Sequence, residues 1–212
     1  MELREVLRRR RMVRSFEDRT IPGDVLERVM RSVLHAPTAG FTQGNEFLVL
    51  TAKEATRRFI EITDDPRWPL DPDELAAPVP AIVLPMANEG AYLERYSRED
   101  KAEFGMQTAD AWPVPYWYLD AAMASMLVLL AAIDEGLGGW FFGISYGEAE
   151  LLRAFDVPSA FRPIGAIALG FPARHEEPTG SSVTLRRRPY EEIVHIGRWE
   201  TIGDPSRADQ QH

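Results

Sequence analysis

Five arginines crowd the start of this sequence, Arg8, Arg9, Arg10, Arg11 and Arg14, and three more, Arg186, Arg187 and Arg188, stand near its end. A phosphate monoester asks for several N–H donors arriving from fixed directions, and the planar guanidinium fork supplies them. Side chains four apart share a helical face, so Arg10 and Arg14 converge if helix runs that far. Each charge-assisted hydrogen bond is worth about 1.5–3 kcal/mol, so three of them anchor a dissociable anion without a covalent link. By itself, such a run is more often solvated surface charge, and neither cluster alone demands a ligand.

A second chemistry is spelled by Gly143-Ile144-Ser145-Tyr146-Gly147, a formal match to the nucleophile elbow of serine hydrolases, with a strand before it and a helix after. The acid and histidine of a triad would have to follow. Asp156 follows too closely to come from a later strand, His175 or His195 could serve, and no HGGG-type oxyanion segment lies upstream. Gly136, Gly138 and Gly139 end a helix and precede a strand, the reverse of the dinucleotide fingerprint. The histidines His35, His175, His195 and His212 show no metal-ligand spacing, so no metal is expected.

The bulk properties narrow the classes. The 212 residues carry Lys+Arg 24 against Asp+Glu 33, a net charge of -9, and nucleic acid is not the expected partner of so acidic a chain. With no cysteine, disulfides, thiolate nucleophiles and Cys-based metal sites are excluded, which fits a reducing cytoplasm. The charged N-terminus does not read as a secretory signal. The longest apolar run, Ala121 to Ile133, reads as a buried core helix and not as a membrane span.

These residues need elements to hold them. Periodicity predicts a short basic helix over 2–11 and a second from Pro22 to about Ala36, closed because a residue before proline leaves the α region. A loop of small and polar residues then spans 37–45. Strand is expected at Phe47 to Leu50, helix at Lys53 to Thr63, and a proline-rich acidic loop at Asp64 to Pro80. A buried strand at Ala81 to Leu84 precedes a weakly patterned stretch, Asn88 to Pro115. The most apolar helix runs from Tyr116 to Glu135, and its glycine-rich end leads into a strand at Trp140 to Ile144. Helix at Glu148 to Phe155, strand at Ile164 to Leu169 and a helical turn near Tyr190 complete the chain before a polar tail, 204–212. Helices outweigh strands without strict alternation, which predicts an α+β domain with a central sheet covered by helices.

The ordered motifs resemble the nitroreductase family of flavoproteins. Arg10-Arg11-Met12-Val13-Arg14 before a helix is similar to the family's Arg-Arg-Ser-x-Arg, and Pro37-Thr38-Ala39-Gly40-Phe41-Thr42-Gln43 to its Pro-Ser-x-x-Asn-x-Gln. Asp120-Ala121-Ala122 through Gly136-Leu137-Gly138 resembles the long central helix and its Gly-Leu-Gly end. Arg162-Pro163-Ile164 resembles the family's Tyr-Arg-Pro-Val strand, and Arg186-Arg187-Arg188-Pro189-Tyr190-Glu191-Glu192-Ile193 its basic ending.

The resemblance implies a nitroreductase-like fold, a mainly antiparallel central sheet flanked by helices, in an intertwined homodimer whose FMN lies at the subunit boundary. It implies one FMN-binding domain over 1–203. Arg10, Arg11, Met12, Arg14 and Arg186 or Arg187 would hold the phosphate and ribityl chain. Pro37, Thr38, Ala39 and Phe41 would lie near the ring from the partner subunit, and the backbone of Phe142, Gly143 and Ile144 would face its reactive edge. NADH or NADPH would be the donor, and a nitroaromatic, quinone or similar small molecule the acceptor, in ping-pong fashion. Met12 stands where the family has Ser and Phe41 where it has Asn, which removes a hydroxyl donor and an amide. A flavin-binding module without turnover is the alternative those departures leave open.

The segment Glu99 to Trp117 is where acceptor selection is expected, with Phe104, Met106, Trp112 and Tyr116 as an aromatic and apolar lining. The same aromatics would equally plug a subunit seam. The central helix is apolar round most of its circumference, through Tyr116, Trp117, Leu119, Met123, Met126, Leu127 and Leu130, as a helix buried on both sides would be.

Overall fold

The computed structural model describes residues 1–175, 177 and 181–199; the expected polar tail 204–212 lies outside the described residues. The chain forms two compact units, Met1–Glu176 and Glu177–His212.

The first unit begins with α1 (Leu3–Arg9) and α2 (Gly23–Arg31), the latter prolonged by a 3-10 turn at Ser32–His35 that stops before Pro37. After β1 (Asn45–Leu50) comes α3 (Lys53–Thr63), then α4 (Pro72–Ala76), β2 (Ala81–Ala87) and α5 (Glu89–Tyr96). The long α6 (Tyr116–Asp134) is followed by β3 (Gly138–Phe142), α7 (Glu148–Ala154), β4 (Arg162–Pro163) and β5 (Ala166–Gly170). In the second unit α8 (Ser181–Thr184) and a 3-10 turn at Tyr190–Glu192 are the regular elements among the described residues.

The sheet runs β1-β2-β5-β3, with β4 paired to β2 beyond the β2–β5 ladder, and every ladder is antiparallel. This is the α+β architecture expected. Strand β2 is buried along its whole length. Its alternating side chains feed two cores: Ala81 and Val83 meet Val29 of α2 and Val128, Leu129 and Ala132 of α6, while Ile82, Leu84 and Met86 meet Phe59 and Ile62 of α3 and Leu151 of α7. A sheet covered on both faces reads as a continuous apolar run, as Ala81 to Ala87 does.

Among the departures from expectation, two strand boundaries and two additional helices have clear local reasons. Strand β2 passes through Pro85 and ends three residues later than predicted, the Pro85 carbonyl accepting from the Ile164 N–H at 3.0 Å. Strand β3 starts at Gly138 and stops at Phe142, because Gly138 and Gly139 pair with Gly170 and Leu169 instead of remaining in the helix cap. Helix α4 lies inside the segment expected to be loop, closed by a capping box in which Asp71 accepts from Asp73 and Glu74 while Glu74 accepts from Asp71. Helix α5 lies in the weakly patterned stretch, with Asn88 accepting from the Ala91 N–H at its N-cap.

Candidate functional site

The arginine segment does not continue α1. Helix ends at Arg9, and Arg10 closes it by donating its N–H to the Val6 carbonyl. Beyond that the chain runs extended along the edge of β3: Met12 bridges Gly139, and the Val13 N–H donates to the Gly139 carbonyl at 3.1 Å. It then reaches the end of β5, where Glu17 donates to Phe171 at 2.8 Å and Ala173 to Ser15 at 3.0 Å. Arg10 and Arg14 therefore lie along an extended segment on the edge of β3 and share no helical face, a correction to the simplest helical reading. The buried Val13 and Phe16 point into a small core with Ala168, and Met12 is half-buried between them and Arg11. The Arg14 guanidinium lies 5.3 Å from the centroid of the Trp140 ring on β3, and that ring leans on Phe142 at 4.6 Å. The basic segment is thus locked to the strand that ends at Phe142 and leads into Gly143 and Ile144.

At the far end of β3 the ladder closes with the Phe142–Ala166 pair, and Gly143 begins the loop beyond. A side chain built on Gly143 would meet nothing within 4 Å, so open space adjoins the backbone there. Ile144 turns back into the α3–α7 core. Next to it Ser145 contributes a hydrogen bond to Asp65. The Asp65 carboxyl is held down to about 2 chiefly by the Arg67 guanidinium, at 2.6–3.2 Å, and by the Arg67 N–H at 3.0 Å, Ser145 adding a smaller part. A carboxylate so stabilised is a poor proton acceptor, so Ser145 has a structural partner there and not a general base.

The loop after α2 carries Pro37, Thr38, Ala39 and Phe41. It is tightly made: the Gln43 N–H donates to Thr38 Oγ1 at 3.0 Å, and Thr42 Oγ1 donates to the Ala39 carbonyl at 2.5 Å. Gly40, Phe41 and Gln43 all have left-handed backbone, with φ of 61°, 52° and 53°. For the two residues with side chains this costs roughly 1 kcal/mol or more each, strain of the kind concentrated at functional sites. Phe41 is consequently thrown outward and is 76% exposed, and Pro37 is exposed beside it. A side chain on Gly40 would stand 2.8 Å from the Tyr96 ring, which bars any other residue there.

Of the expected acceptor lining, Phe104 is exposed, Met106 and Tyr116 are half-buried, and Trp112 is buried. Trp112 packs against Tyr92, Tyr96, Tyr116 and Trp117 with ring centroids 4.6–6.0 Å away, and its indole N–H donates to the Met106 carbonyl at 3.0 Å. It supports Met106 and Tyr116 directly, whereas Phe104 rests edge-on against Tyr96 at 6.3 Å. Arg186 and Arg187 are exposed in the second unit.

Two surface depressions are relevant. One of about 720 Å³, lined among others by Arg19, Thr51, Lys53, Arg57 and Leu75, contains none of the expected site residues. The other, about 550 Å³, is walled by Gly40, Phe41, Ala91, Arg95 and Arg98. Among the described residues no three His, Asp or Glu side chains converge in a way that would hold a metal ion.

One residue of consequence was not singled out by the sequence for a role of its own. Asp120, on the apolar α6, is 1% exposed and accepts from the Tyr92 hydroxyl at 2.7 Å and from the Ala39 N–H at 2.8 Å. Burial pushes the Tyr92 phenol well above its usual range, and the Asp120 carboxylate pushes it further, so Tyr92 stays a donor. An acid within a helix this apolar was the signal available.

The chain is similar to proteins already known. The family model described as Nitroreductase family matches residues 7–171. A relative from Methanothermobacter thermautotrophicus, carrying the provisional name NADH dehydrogenase/NAD(P)H nitroreductase, is 26% identical over 179 residues, 82% of this chain and 80% of that one. Among solved structures, NfrA1 nitroreductase from B. subtilis superposes with a TM-score of 0.73 at 17% identity, covering 96% of this chain and 77% of that one. An FMN-dependent nitroreductase from Clostridium difficile R20291 gives 0.64 at 17% identity, covering 92% and 98%. A family match across so much of the first unit, on an antiparallel sheet whose edge carries the arginine segment, places this chain in the nitroreductase family.

Proposed function

We propose that the chain is an FMN-dependent oxidoreductase that takes electrons from NADH or NADPH and delivers them to a small organic acceptor, a nitroaromatic, a quinone or a similar planar molecule. The observation that carries this reading is the docking of the arginine segment along β3, which sets guanidinium donors beside the strand that leads into an open backbone at Gly143. The donor set suits FMN: guanidinium forks for the phosphate, and unencumbered backbone for a flat ring.

FMN, when bound, would supply the redox chemistry, hydride transfer from nicotinamide to acceptor in two successive half-reactions. The protein's own work is binding and orientation. Arg10, Arg11 and Arg14 hold the phosphate and ribityl chain, and the sequence pattern offers Arg186 or Arg187 as a further phosphate ligand. Met12 contributes its half-buried side chain and backbone in place of a hydroxyl. The backbone of Phe142, Gly143 and Ile144 faces the reactive edge. Pro37, Thr38, Ala39 and Phe41 come from the partner subunit, and Phe104, Met106 and Tyr116 border the acceptor's approach above Trp112.

A homodimer is part of the proposal. Leu119, Met123 and Met126 leave the outer face of α6 41–46% exposed, an apolar stripe that a second copy would cover. Although α6 is long and apolar enough to cross a membrane, half of it is buried within the chain, as in a core helix.

The deciding experiment is the visible spectrum of the purified protein before and after anaerobic NADH or NADPH. Flavin bands that bleach are expected. Bands that persist with both donors would mean a flavin-binding role without nicotinamide turnover, and no bands after incubation with FMN would overturn the reading.

A further inference from the structure

The buried Asp120 is far from any solvent-facing chemistry, yet it has a direct line to the proposed FMN-facing loop. A carboxylate inside an apolar helix survives only where donors satisfy it. Oxygen Oδ2 of Asp120 receives two: the Tyr92 hydroxyl of α5 at 2.7 Å, and the Ala39 N–H at 2.8 Å. Ala39 opens the 3-10 turn Ala39–Phe41, so this bond fastens the loop at the point where it leaves extended backbone.

The loop needs such fastening. Phe41 and Gln43 are held left-handed without being glycine, a conformation the local sequence disfavours and which surrounding structure must impose. From the other side, Arg95 Nε donates to the Gly40 carbonyl at 3.0 Å, and its guanidinium is itself fixed by Asp100 at 2.7 Å to each oxygen. The turn is gripped at consecutive residues, at Ala39 from the core and at Gly40 from α5. The Asn45 amide, hydrogen-bonded to the Tyr92 oxygen, ties the same network to the start of β1.

We propose that Asp120 is a positioning residue for FMN binding: its carboxylate reaches from the core helix to the Ala39 N–H and fixes the turn that presents Pro37 and Phe41. This rests on the proposed placement of that loop against FMN. It adds a role, through a backbone amide, for a residue that itself touches neither cofactor nor acceptor.

The test uses the full chain and two readouts, the FMN dissociation constant from flavin fluorescence, and amide hydrogen exchange over residues 38–44 without added FMN. Three variants are compared with wild type. Asp120→Leu removes the acceptor. Ala39→Pro removes the donor and leaves Asp120 and Tyr92 in place; proline suits the first position of a helical turn, and Thr38 already has the extended backbone (φ -137°, ψ 141°) that precedes proline well. Asp120→Asn keeps an acceptor oxygen of the same shape. Asp120→Leu and Ala39→Pro are each expected to weaken FMN by about tenfold and to speed exchange at Phe41 to Gly44, while Asp120→Asn recovers most of both.

Wild-type affinity and protection in Ala39→Pro would overturn the proposal, even if Asp120→Leu fails to fold. So would an Asp120→Asn variant as impaired as Asp120→Leu while Ala39→Pro is normal, which would make the carboxylate a core element only. A wild type that binds no FMN would overturn the placement of the loop instead, and the exchange data would still show whether Asp120 holds the turn.

Discussion

Val13 lies directly over the bare Cα of Gly138: a Cβ placed on that glycine would come within 2.7–2.8 Å of three Val13 side-chain carbons. The contact seats the arginine segment on β3. Gly138→Ala is expected to cost about 1–3 kcal/mol of stability through overpacking, and to weaken FMN binding by lifting Arg10–Arg14 off the strand. Thermal unfolding and an FMN titration of the same preparation check both; an alanine variant with wild-type values would show that the segment is seated elsewhere.

Arg14 is the arginine that the structure ties most directly to β3, through the Trp140 ring. Arg14→Ala should raise the FMN dissociation constant about 10- to 100-fold, the equivalent of one charge-assisted hydrogen bond. Arg14→Lys keeps the charge and loses the planar fork, so only part of the affinity should return. Equal affinity in all three proteins would remove Arg14 from the phosphate site.

Asp65 makes stability depend on acidity. Its carboxyl is depressed to about 2 by Arg67, against about 4 in an unfolded chain. A group depressed in the folded state stabilises above its unfolded value and loses that contribution as pH falls toward its folded value. Asp65→Asn should therefore melt below wild type at pH 7, and the gap should shrink between about pH 4 and pH 2. A gap that stays constant across that window would mean the Arg67 pairing is not what Asp65 contributes.

The outer face of α6 can be tested by charge. Met123→Glu places a carboxylate in the middle of the exposed apolar stripe formed with Leu119 and Met126. Sedimentation should show wild-type dimers and variant monomers at the same micromolar concentration, with flavin lost alongside. If the variant sediments as a dimer, the subunits meet through another surface.

Much of the fold was legible because its signals are local. The amphipathic period of Lys53 to Thr63 gives α3 residue for residue, and Pro37 marks where the second helix must already have ended. Helix α4 was equally legible in principle, since Asp71, Pro72 and Glu74 spell a capped start, but five residues give no periodicity to set against a proline-rich context. Helix α5 buries only Tyr92 of its eight residues, so no apolar stripe betrays it. The site divides along the same line. Arginines, glycines and the Pro37 loop declare themselves by type and order. Asp120 does not, because its partners stand 81 and 28 residues away and one of them is a backbone amide that no side chain advertises. The course of the arginine segment was hidden for a similar reason: its extended path depends on pairing with Gly139 and Phe171, distant in sequence, which the arginines do not announce.

The bridge between Met12 and Gly139 has one more consequence. Strand β3 is the last in its sheet, and a last strand offers unpaired backbone groups to any other extended chain. Residues 12 and 13 occupy part of that rim with their own main chain. The stretch that delivers the arginines therefore also acts as a guard against aggregation, and trimming it should yield a protein that clumps as well as one that fails to hold flavin.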